Sequence, residues 1–263
     1  MRTVVLGTLF LLGSSLLGIS QVSSSASSAI SSERPFQVCI GTFVFEQGEK
    51  LAVELVRREP CPCLCGPISI LGFRVVDPDG DPVYVDSGAY PVPIDKWVGE
   101  WCLVDGSGNM VPPGDYTLRI DSSAGEFRVM VQVVTPGARP LGKSFAQASV
   151  CGLGVRVYRL ITEEDEGSIV ALGEGAYLMV ALPGNPTTGY SWAAETVPNF
   201  LEPVAGVGYL PEAQDPALVG GGGIFFFRFR AKEAGSGTLS FAYKRAWETA
   251  PPAKTFTITV EVG

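Results

Sequence analysis

The fold class is indicated most directly by Thr255-Phe-Thr-Ile-Thr-Val-Glu-Val262, in which every second residue is apolar. This period of two is typical of a strand with one buried face. Phe225-Phe-Phe-Arg-Phe-Arg230 shows the same period, with Phe225, Phe227 and Phe229 on the expected core face. Helical periodicity is hard to find in the 263 residues, whereas 32 glycines and 20 prolines separate many short runs rich in Val, Ile, Phe and Thr. The sequence therefore predicts an all-β protein.

Similar short runs divide into two groups, which predict two domains of about 100 residues each. In the first group, strands are expected at Lys50–Arg57, Ile68–Val76, Val83–Asp86, Asp115–Asp121 and Phe127–Val134. In the second group, they are expected at Val155–Thr162, Ala176–Leu182, Ser191–Val197, Leu201–Tyr209 and Gly237–Lys244, with an edge piece at Ser168–Leu172. Residues 34–136 and 149–263 are the expected domains, and residues 137–148, rich in Pro and Gly, are the expected linker.

A loop-to-strand passage in the first group, Asp105-Gly-Ser-Gly-Asn-Met-Val-Pro-Pro-Gly-Asp-Tyr-Thr-Leu-Arg119, resembles the Ig-like modules of bacterial envelope proteins. The resemblance implies a fold and no function. With antiparallel strands in the second group as well, we expect two Ig-like antiparallel β-sandwich domains in tandem.

Composition narrows the possible functions. The net charge of −8 and the lack of a long basic run argue against binding to nucleic acid or to anionic lipid. The absence of histidine removes Ser/His/Asp and Cys/His catalysis and every histidine-ligated metal site. We expect neither enzymatic activity nor a cofactor. Glycoside hydrolysis by paired carboxylates stays formally open, although two small sandwiches offer no deep cleft for it.

The N-terminus predicts export. Arg2 precedes an apolar run from Val4 to Leu17, which a small, serine-rich stretch from Gly18 to Ser32 follows. This is the pattern of a signal peptide, expected over residues 1–28. An uncleaved anchor is the alternative, but the apolar run is shorter than the ~20 residues of a membrane-spanning helix. We expect a secreted, periplasmic or cell-envelope protein with no membrane contact beyond this segment.

Six cysteines in an exported chain favour disulfides. The six are Cys39, Cys61, Cys63, Cys65, Cys102 and Cys151. The three clustered cysteines are too close to bond easily to one another, so the other three are their expected partners, in an undetermined order. A thiolate metal site at Cys61-Pro-Cys-Leu-Cys65 is the alternative.

Two acidic stretches are interpreted as surface turns. Asp77-Pro-Asp-Gly-Asp81 suggests a calcium loop, but Gly88 stands where an EF-hand would have its bidentate Glu. A Pro-Asp-Gly hairpin turn is the preferred interpretation. Glu163–Glu166 is expected to be a solvated hairpin tip.

Three unusual loops follow alternate strands of the second group, so antiparallel strands would bring them to one end of the domain. Loop 1, Pro183-Gly-Asn-Pro-Thr-Thr-Gly-Tyr190, combines a stiff Asn-Pro pair with two glycines. Loop 2, Leu218-Val-Gly-Gly-Gly-Gly-Ile224, presents bare backbone. Loop 3, Lys244-Arg-Ala-Trp-Glu-Thr249, carries an arginine and a tryptophan, which are common interface hot spots.

These loops, in this order and within about one hundred residues, resemble the binding loops of chagasin-type inhibitors of papain-like cysteine peptidases. The resemblance implies that loop 1 enters the peptidase cleft and that loops 2 and 3 grip either side, in reversible inhibition without chemistry. The residues it assigns to peptidase binding are Asn185, Pro186, Thr187, Thr188, Gly189 and Tyr190 in loop 1, Gly220, Gly221, Gly222 and Gly223 in loop 2, and Arg245, Ala246 and Trp247 in loop 3.

One departure from the family pattern and two alternatives accompany this hypothesis. Ala246 stands where the family usually has proline, so loop 3 is expected to be looser than in relatives. Trp247 is alternatively a core residue that continues the face of Phe241 and Tyr243. The competing function is a non-inhibitory envelope or adhesion module that binds protein or glycan. The sequence leaves the oligomeric state open.

Overall fold

The computed structural model of the chain describes residues 37–57, 67–139, 149–150, 153–204, 206–212 and 221–263. Over these residues the chain forms strands, turns and short 3₁₀ turns, with no α-helix, which confirms the all-β prediction. None of the described helical segments is long and apolar enough to cross a membrane. The predicted signal segment, residues 1–28, and most of the predicted linker lie outside the described residues.

The strands of the N-terminal half agree with the predicted ones to within two residues, and three further strands were not predicted. They are β1 (Gln37–Glu46), β2 (Lys50–Arg57), β3 (Ser69–Val76), β4 (Pro82–Val85), β5 (Val92–Pro93), β6 (Gly99–Trp101), β7 (Gly114–Ser122) and β8 (Gly125–Val134). β1, β5 and β6 are the additions.

The C-terminal half holds the remaining strands. They are β9 (Ser149–Val150), β10 (Leu153–Thr162), β11 (Ile169–Leu172), β12 (Tyr177–Gly184), β13 (Ser191–Thr196), β14 (Leu201–Pro203), β15 (Gly208–Pro211), β16 (Gly223–Ala231), β17 (Gly235–Lys244) and β18 (Lys254–Val262). β11 pairs with β18 at the edge of its sheet, as predicted.

Three sheets arise from these strands. Sheet A has the order β1-β8-β7-β3-β4, with β5 also on β3. Sheet B has the order β14-β16-β12-β10-β2-β6, with β15 on β16 and β9 on β10. Sheet C has the order β11-β18-β17-β13. The ladders β1·β8, β10·β12 and β11·β18 are parallel, and the other described ladders are antiparallel.

Sheet B belongs to both halves, because β2 of the N-terminal half pairs with β10 of the C-terminal half from Lys50 to Arg57. Leu153, Val155 and Val157 of β10 lie in the N-terminal core, together with residues of sheet A. Ile161, on the same face of the same strand, lies in the C-terminal core with residues of sheet C. The two sandwiches therefore share one continuous sheet.

The structure corrects the predicted strand Leu201–Tyr209. It consists of two short strands, β14 and β15, that pair with different parts of β16. Pro203 lacks a backbone N–H, and the ladder ends there. From Pro203 to Gly208 the chain advances five residues while the paired position on β16 moves three, from Phe229 to Phe226.

β16 was predicted to have a single core face, and this was wrong. Phe225, Phe227 and Phe229 lie in the C-terminal core, but Phe226 is also buried, at 2% exposure. It belongs to a third apolar cluster on the opposite face of sheet B, which consists of Ala52, Tyr158, Leu160, Met179, Ala181 and Phe226. The shared sheet explains this burial, because strands from both halves contribute side chains to that face.

The two acidic stretches form turns. Asp77 Oδ1 accepts the backbone N–H groups of Asp79 (3.1 Å) and Asp81 (2.9 Å), and β3 pairs with β4 on either side, as expected for a hairpin. Glu163–Asp165 is a 3₁₀ turn between strands of different sheets rather than a hairpin tip. Lys50 binds Glu164 at 2.7 Å across the two halves.

Candidate functional site

Sheet register brings the three loops to one end of the C-terminal half. Gly184, where β12 ends and loop 1 continues, pairs with Gly223 at the end of loop 2. Ser191, which directly follows loop 1, pairs with Lys244 at the start of loop 3. Loop 1 therefore passes from sheet B to sheet C with loop 2 on one side and loop 3 on the other. We call this surface the loop end.

Loop 1 is folded by its own polar groups. Pro186–Thr188 forms a 3₁₀ turn that Asn185 caps, since its Oδ1 accepts the Thr187 backbone N–H at 3.0 Å and the Thr187 hydroxyl at 2.6 Å. The Thr188 hydroxyl donates to the Asn185 carbonyl at 2.6 Å. Gly189 ends the turn at φ +81°, a left-handed conformation that favours glycine. The exposed tip of loop 1 is thus a preformed turn.

Aromatic side chains fix the base of this turn. The Tyr243 hydroxyl accepts the Asn185 backbone N–H at 2.7 Å, and the Trp192 indole N–H donates to the Pro183 carbonyl at 3.0 Å. The rings of Tyr190 and Tyr243 stack with centroids 5.3 Å apart. Trp192 and Tyr243 belong to strands of sheet C, so these contacts tie loop 1 to that sheet.

Loop 3 folds against loop 1 through Arg245. Its Nε donates to the Thr188 carbonyl at 3.1 Å, its Nη1 donates to Glu248 at 2.8 Å, and its guanidinium lies 4.5 Å from the ring centroid of Tyr190. The hydrogen bond that Arg245 donates to Glu248 raises the pKa of Arg245 above its ordinary value, so the guanidinium is a constant positive charge at the loop end. The two loops form one connected surface.

Trp247 is 71% exposed, which rules out the alternative that it is a core residue. Its indole lies against the backbone of Gly189: a Cβ built on Gly189 would be 2.6 Å from Trp247 Cη2. The glycine thus serves both the left-handed turn and the close approach of the indole. Ala246 beside it is also exposed.

Loop 2 is described at Gly221, Gly222 and Gly223, whereas Gly220 lies outside the described residues. The Glu212 backbone N–H donates to the Gly222 carbonyl at 3.1 Å, which closes the base of the loop between β15 and β16. A Cβ on Gly222 would lie 3.7 Å from the Gly184 carbonyl oxygen. The bare backbone of loop 2 therefore lies directly beside the start of loop 1.

The chemistry at the loop end is suited to binding. Its exposed groups are small hydroxyls, a proline, an indole and backbone. Within the described parts of the chain, no group of three or more His, Cys, Asp or Glu side chains could hold a metal ion.

Tyr243, Trp192 and Glu248 support the site but were not singled out from the sequence. Tyr243 and Trp192 lie in apolar strand patterns, where an aromatic residue is ordinarily only a core residue. Glu248 gave a usable signal, because Arg245 and Glu248 are spaced as the first and fourth residues of a turn.

Of the six cysteine side chains, the structure describes only that of Cys102. Cys102 was predicted to form a disulfide with one of the clustered cysteines, but the structure has it as an exposed free thiol. The other five cysteine side chains, including the cluster at Cys61-Pro-Cys-Leu-Cys65, lie outside the described residues. Their pairing stays a prediction.

Comparison with known proteins agrees with the loop geometry. The family model described as "Chagasin family peptidase inhibitor I42" matches residues 171–260, a range that contains all three loops. Chagasin from Trypanosoma cruzi is 31% identical over 91 residues, which are 33% of this chain and 81% of chagasin. The chain belongs to the chagasin family. Amoebiasin-1 from Entamoeba histolytica is 28% identical to this member over 102 residues, which are 39% of the chain and 97% of amoebiasin-1.

Two solved structures each match about two fifths of this chain. The Leishmania mexicana protein ICP is 29% identical with a TM-score of 0.31, and the match covers 38% of this chain and 90% of that one. The protein PbICP-C, solved in complex with falcipain-2, is 20% identical with a TM-score of 0.27 over 40% of this chain and 89% of that one. The match to the family model leaves residues 1–170 uncovered.

Proposed function

We propose that this protein is an exported, reversible inhibitor of papain-like cysteine peptidases and that its loop end occludes the active-site cleft. Membership of the chagasin family supports the inhibitory role. The observation that carries the mechanism is the preformed turn at Pro186–Thr188, flanked by loops 2 and 3.

The folded state of loop 1 is what makes occlusion effective. This loop is already held by hydrogen bonds that involve Asn185, Tyr243 and Arg245. Little conformational entropy therefore remains to be lost on docking. A 3₁₀ turn also differs from the extended path that a peptidase cleaves, so Thr187 and Thr188 would approach the nucleophile without offering a scissile bond in the correct geometry.

Loop 3 supplies the residue types that dominate interface energetics. Trp247 has most of its surface available for a partner, and Arg245 is already oriented by Glu248 and Thr188. Tryptophan and arginine are enriched among residues whose truncation costs 2 kcal/mol or more in protein complexes. We expect loop 3 to provide much of the affinity, and loop 1 to provide the blockage.

Export remains part of the proposal on sequence grounds. The leader pattern over residues 1–28 and the six cysteines support a secreted, periplasmic or cell-envelope location. An inhibitor there would meet peptidases outside the cytosol, either of the same cell or of another.

The test is titration of active-site-calibrated papain with the purified protein. We expect stoichiometric, reversible and competitive inhibition, and unchanged activity of trypsin under the same conditions. Full papain activity at a tenfold molar excess of the protein would contradict the proposal and favour the adhesion-module alternative.

A matched pair of variants locates the contact. Thr188→Arg places a long side chain at the tip of loop 1 and should weaken inhibition by at least about tenfold. Thr238→Arg makes the same change at an exposed position of β17. This site is six residues from Lys244, or about 20 Å along the strand. We expect it to leave the inhibition constant unchanged, and equal effects of the two variants would place the contact elsewhere.

A further inference from the structure

A buried ion pair joins the N-terminal half to the strand that follows loop 2. Glu54 of β2 is only 7% exposed, and its carboxylate accepts hydrogen bonds from Arg228 of β16 at Nε (2.9 and 3.1 Å) and at Nη2 (2.5 Å). The Tyr158 hydroxyl donates to the same carboxylate at 2.8 Å. Glu54 is thus the charged partner that Arg228 needs in order to be buried.

Arg228 also contacts β15, the strand that precedes loop 2 in the chain. A Cβ built on Gly208 would lie 2.8 Å from Arg228 Nη1, so the guanidinium lies directly against the backbone of β15. Its Cζ lies 5.5 Å from the ring centroid of Phe226, the residue that pairs with Gly208 in the ladder. Arg228 therefore packs against β15 at the point where that strand pairs with β16.

β15 has few other supports. It is four residues long and pairs only with β16 among the described strands, and it ends at Pro211, before loop 2 in the chain. Tyr209 contacts Phe225 with ring centroids 4.9 Å apart, and Leu210 packs against the apolar cluster that contains Phe226. A short edge strand of this kind shifts easily when one contact is lost.

We propose that Glu54, acting through Arg228, is a positioning residue for loop 2, so that the N-terminal half contributes to inhibition without touching the peptidase. This inference rests on the proposed function. Without the Glu54 carboxylate, the guanidinium has no charged partner among the described residues and is expected to turn toward water, because a buried unpaired charge is costly. Arg228 then no longer holds the backbone of β15, and with it the glycines of loop 2, in position.

The experiment is a double-mutant cycle in the full chain, with the inhibition constant for papain as the readout. Glu54→Gln keeps the size of the side chain and removes its charge, and it should weaken inhibition by about tenfold. Gly222→Arg places a long side chain within loop 2, where a Cβ meets no atom closer than the Gly184 carbonyl oxygen at 3.7 Å, and it should remove the contribution of that loop. In the Gly222→Arg background, we expect Glu54→Gln to change the inhibition constant by less than about twofold.

Trp247→Ala provides the matched background, since it weakens loop 3 and leaves loop 2 intact. There Glu54→Gln should again cost about tenfold. An equal effect of Glu54→Gln in all backgrounds would overturn the proposal, because general destabilisation would then explain it. Should Glu54→Gln fail to fold, Arg228→Lys takes its place, since it keeps the ion pair but lacks the planar group that contacts Gly208.

Hydrogen exchange tests the inference without a peptidase. In Glu54→Gln, amide exchange at Gly208, Tyr209 and Leu210 should accelerate at least about tenfold, and that in Ser191–Thr196 should stay unchanged. Unchanged exchange in β15 would overturn the positioning role even where Glu54→Gln weakens inhibition. A wild-type chain that fails to inhibit papain, with the exchange difference present, would instead contradict only the proposed function.

Discussion

The hydroxyl group of Tyr243 binds both backbone polar groups of Asn185: it accepts the N–H at 2.7 Å and donates to the carbonyl at 3.3 Å. One side chain from the strand before loop 3 therefore holds the residue that caps the turn of loop 1. The two loops are coupled through this contact as well as through Arg245.

Tyr243→Phe removes this contact and keeps the ring that stacks on Tyr190. We expect the free energy of unfolding to fall by about 1 kcal/mol and the inhibition constant to rise about fivefold, since loop 1 would lose its anchor. Urea denaturation and papain titration measure the two effects. Tyr84→Phe, a matched loss of a hydroxyl in the N-terminal half, should leave inhibition unchanged.

Gly189→Ala should disturb loops 1 and 3 together. Alanine is strained at φ +81°, and its Cβ would collide with the Trp247 indole. We expect inhibition to weaken by more than about tenfold, with a loss of about 1 kcal/mol or more in stability. A Gly189→Ala protein with normal affinity would show that the contact between these loops is not needed for binding.

Trp247→Ala should weaken inhibition and leave the melting temperature unchanged, because the indole is mostly exposed. The expected cost is about 1 to 3 kcal/mol of binding free energy, as for a central interface tryptophan. Calorimetry of the free protein and the inhibition constant separate binding from stability. Undiminished affinity would remove loop 3 from the binding surface.

Ala246→Pro should strengthen inhibition. The Glu248 N–H donates to the Arg245 carbonyl at 3.2 Å, so Ala246 occupies the second position of a four-residue turn, where proline is favoured. Proline would restrict the free loop and reduce the entropy lost on docking, by about 0.4 to 1 kcal/mol. The inhibition constant should fall about two- to fivefold. A weaker inhibitor would show that the turn needs the flexibility of alanine.

Removal of residues 1–148 should strongly destabilise the remaining chagasin-family portion. Leu153, Val155 and Val157 would lose the core in which they are buried, at a cost of about 1.5 to 3 kcal/mol each. The combined loss is comparable with the whole stability of an ordinary domain. Thermal unfolding of the fragment 149–263 checks this, and a melting temperature equal to that of the full chain would contradict it.

Regular alternation made most strands predictable from the sequence. Lys50–Arg57 was predicted with its observed bounds, because its ends are marked by polar residues. β1 was missed for a physical reason: its register shifts between Ile40 and Phe43, which interrupts the period of two. Pairing between β2 and β10 could not be predicted either. The two strands lie far apart in the chain, and neither sequence shows which other strand it pairs with.

The loop end was predictable in part. The unusual residues of loops 1 to 3 and their alternate placement were visible in the sequence, and the ladders bring these loops together. The support by Tyr243 and the contact of Trp247 with Gly189 depend on side-chain directions set by the packed sandwich. The link from Glu54 to Arg228 crosses between the halves, so no pattern within either half indicates it.

The shared sheet has a consequence for synthesis. A growing chain that stops before Leu153 carries every strand of sheet A but lacks the β10 side chains that complete its core. β10 joins β2 across about one hundred intervening residues, a long-range contact of the kind that slows folding. The N-terminal half therefore cannot complete its core until β10 of the chagasin-family portion has been made.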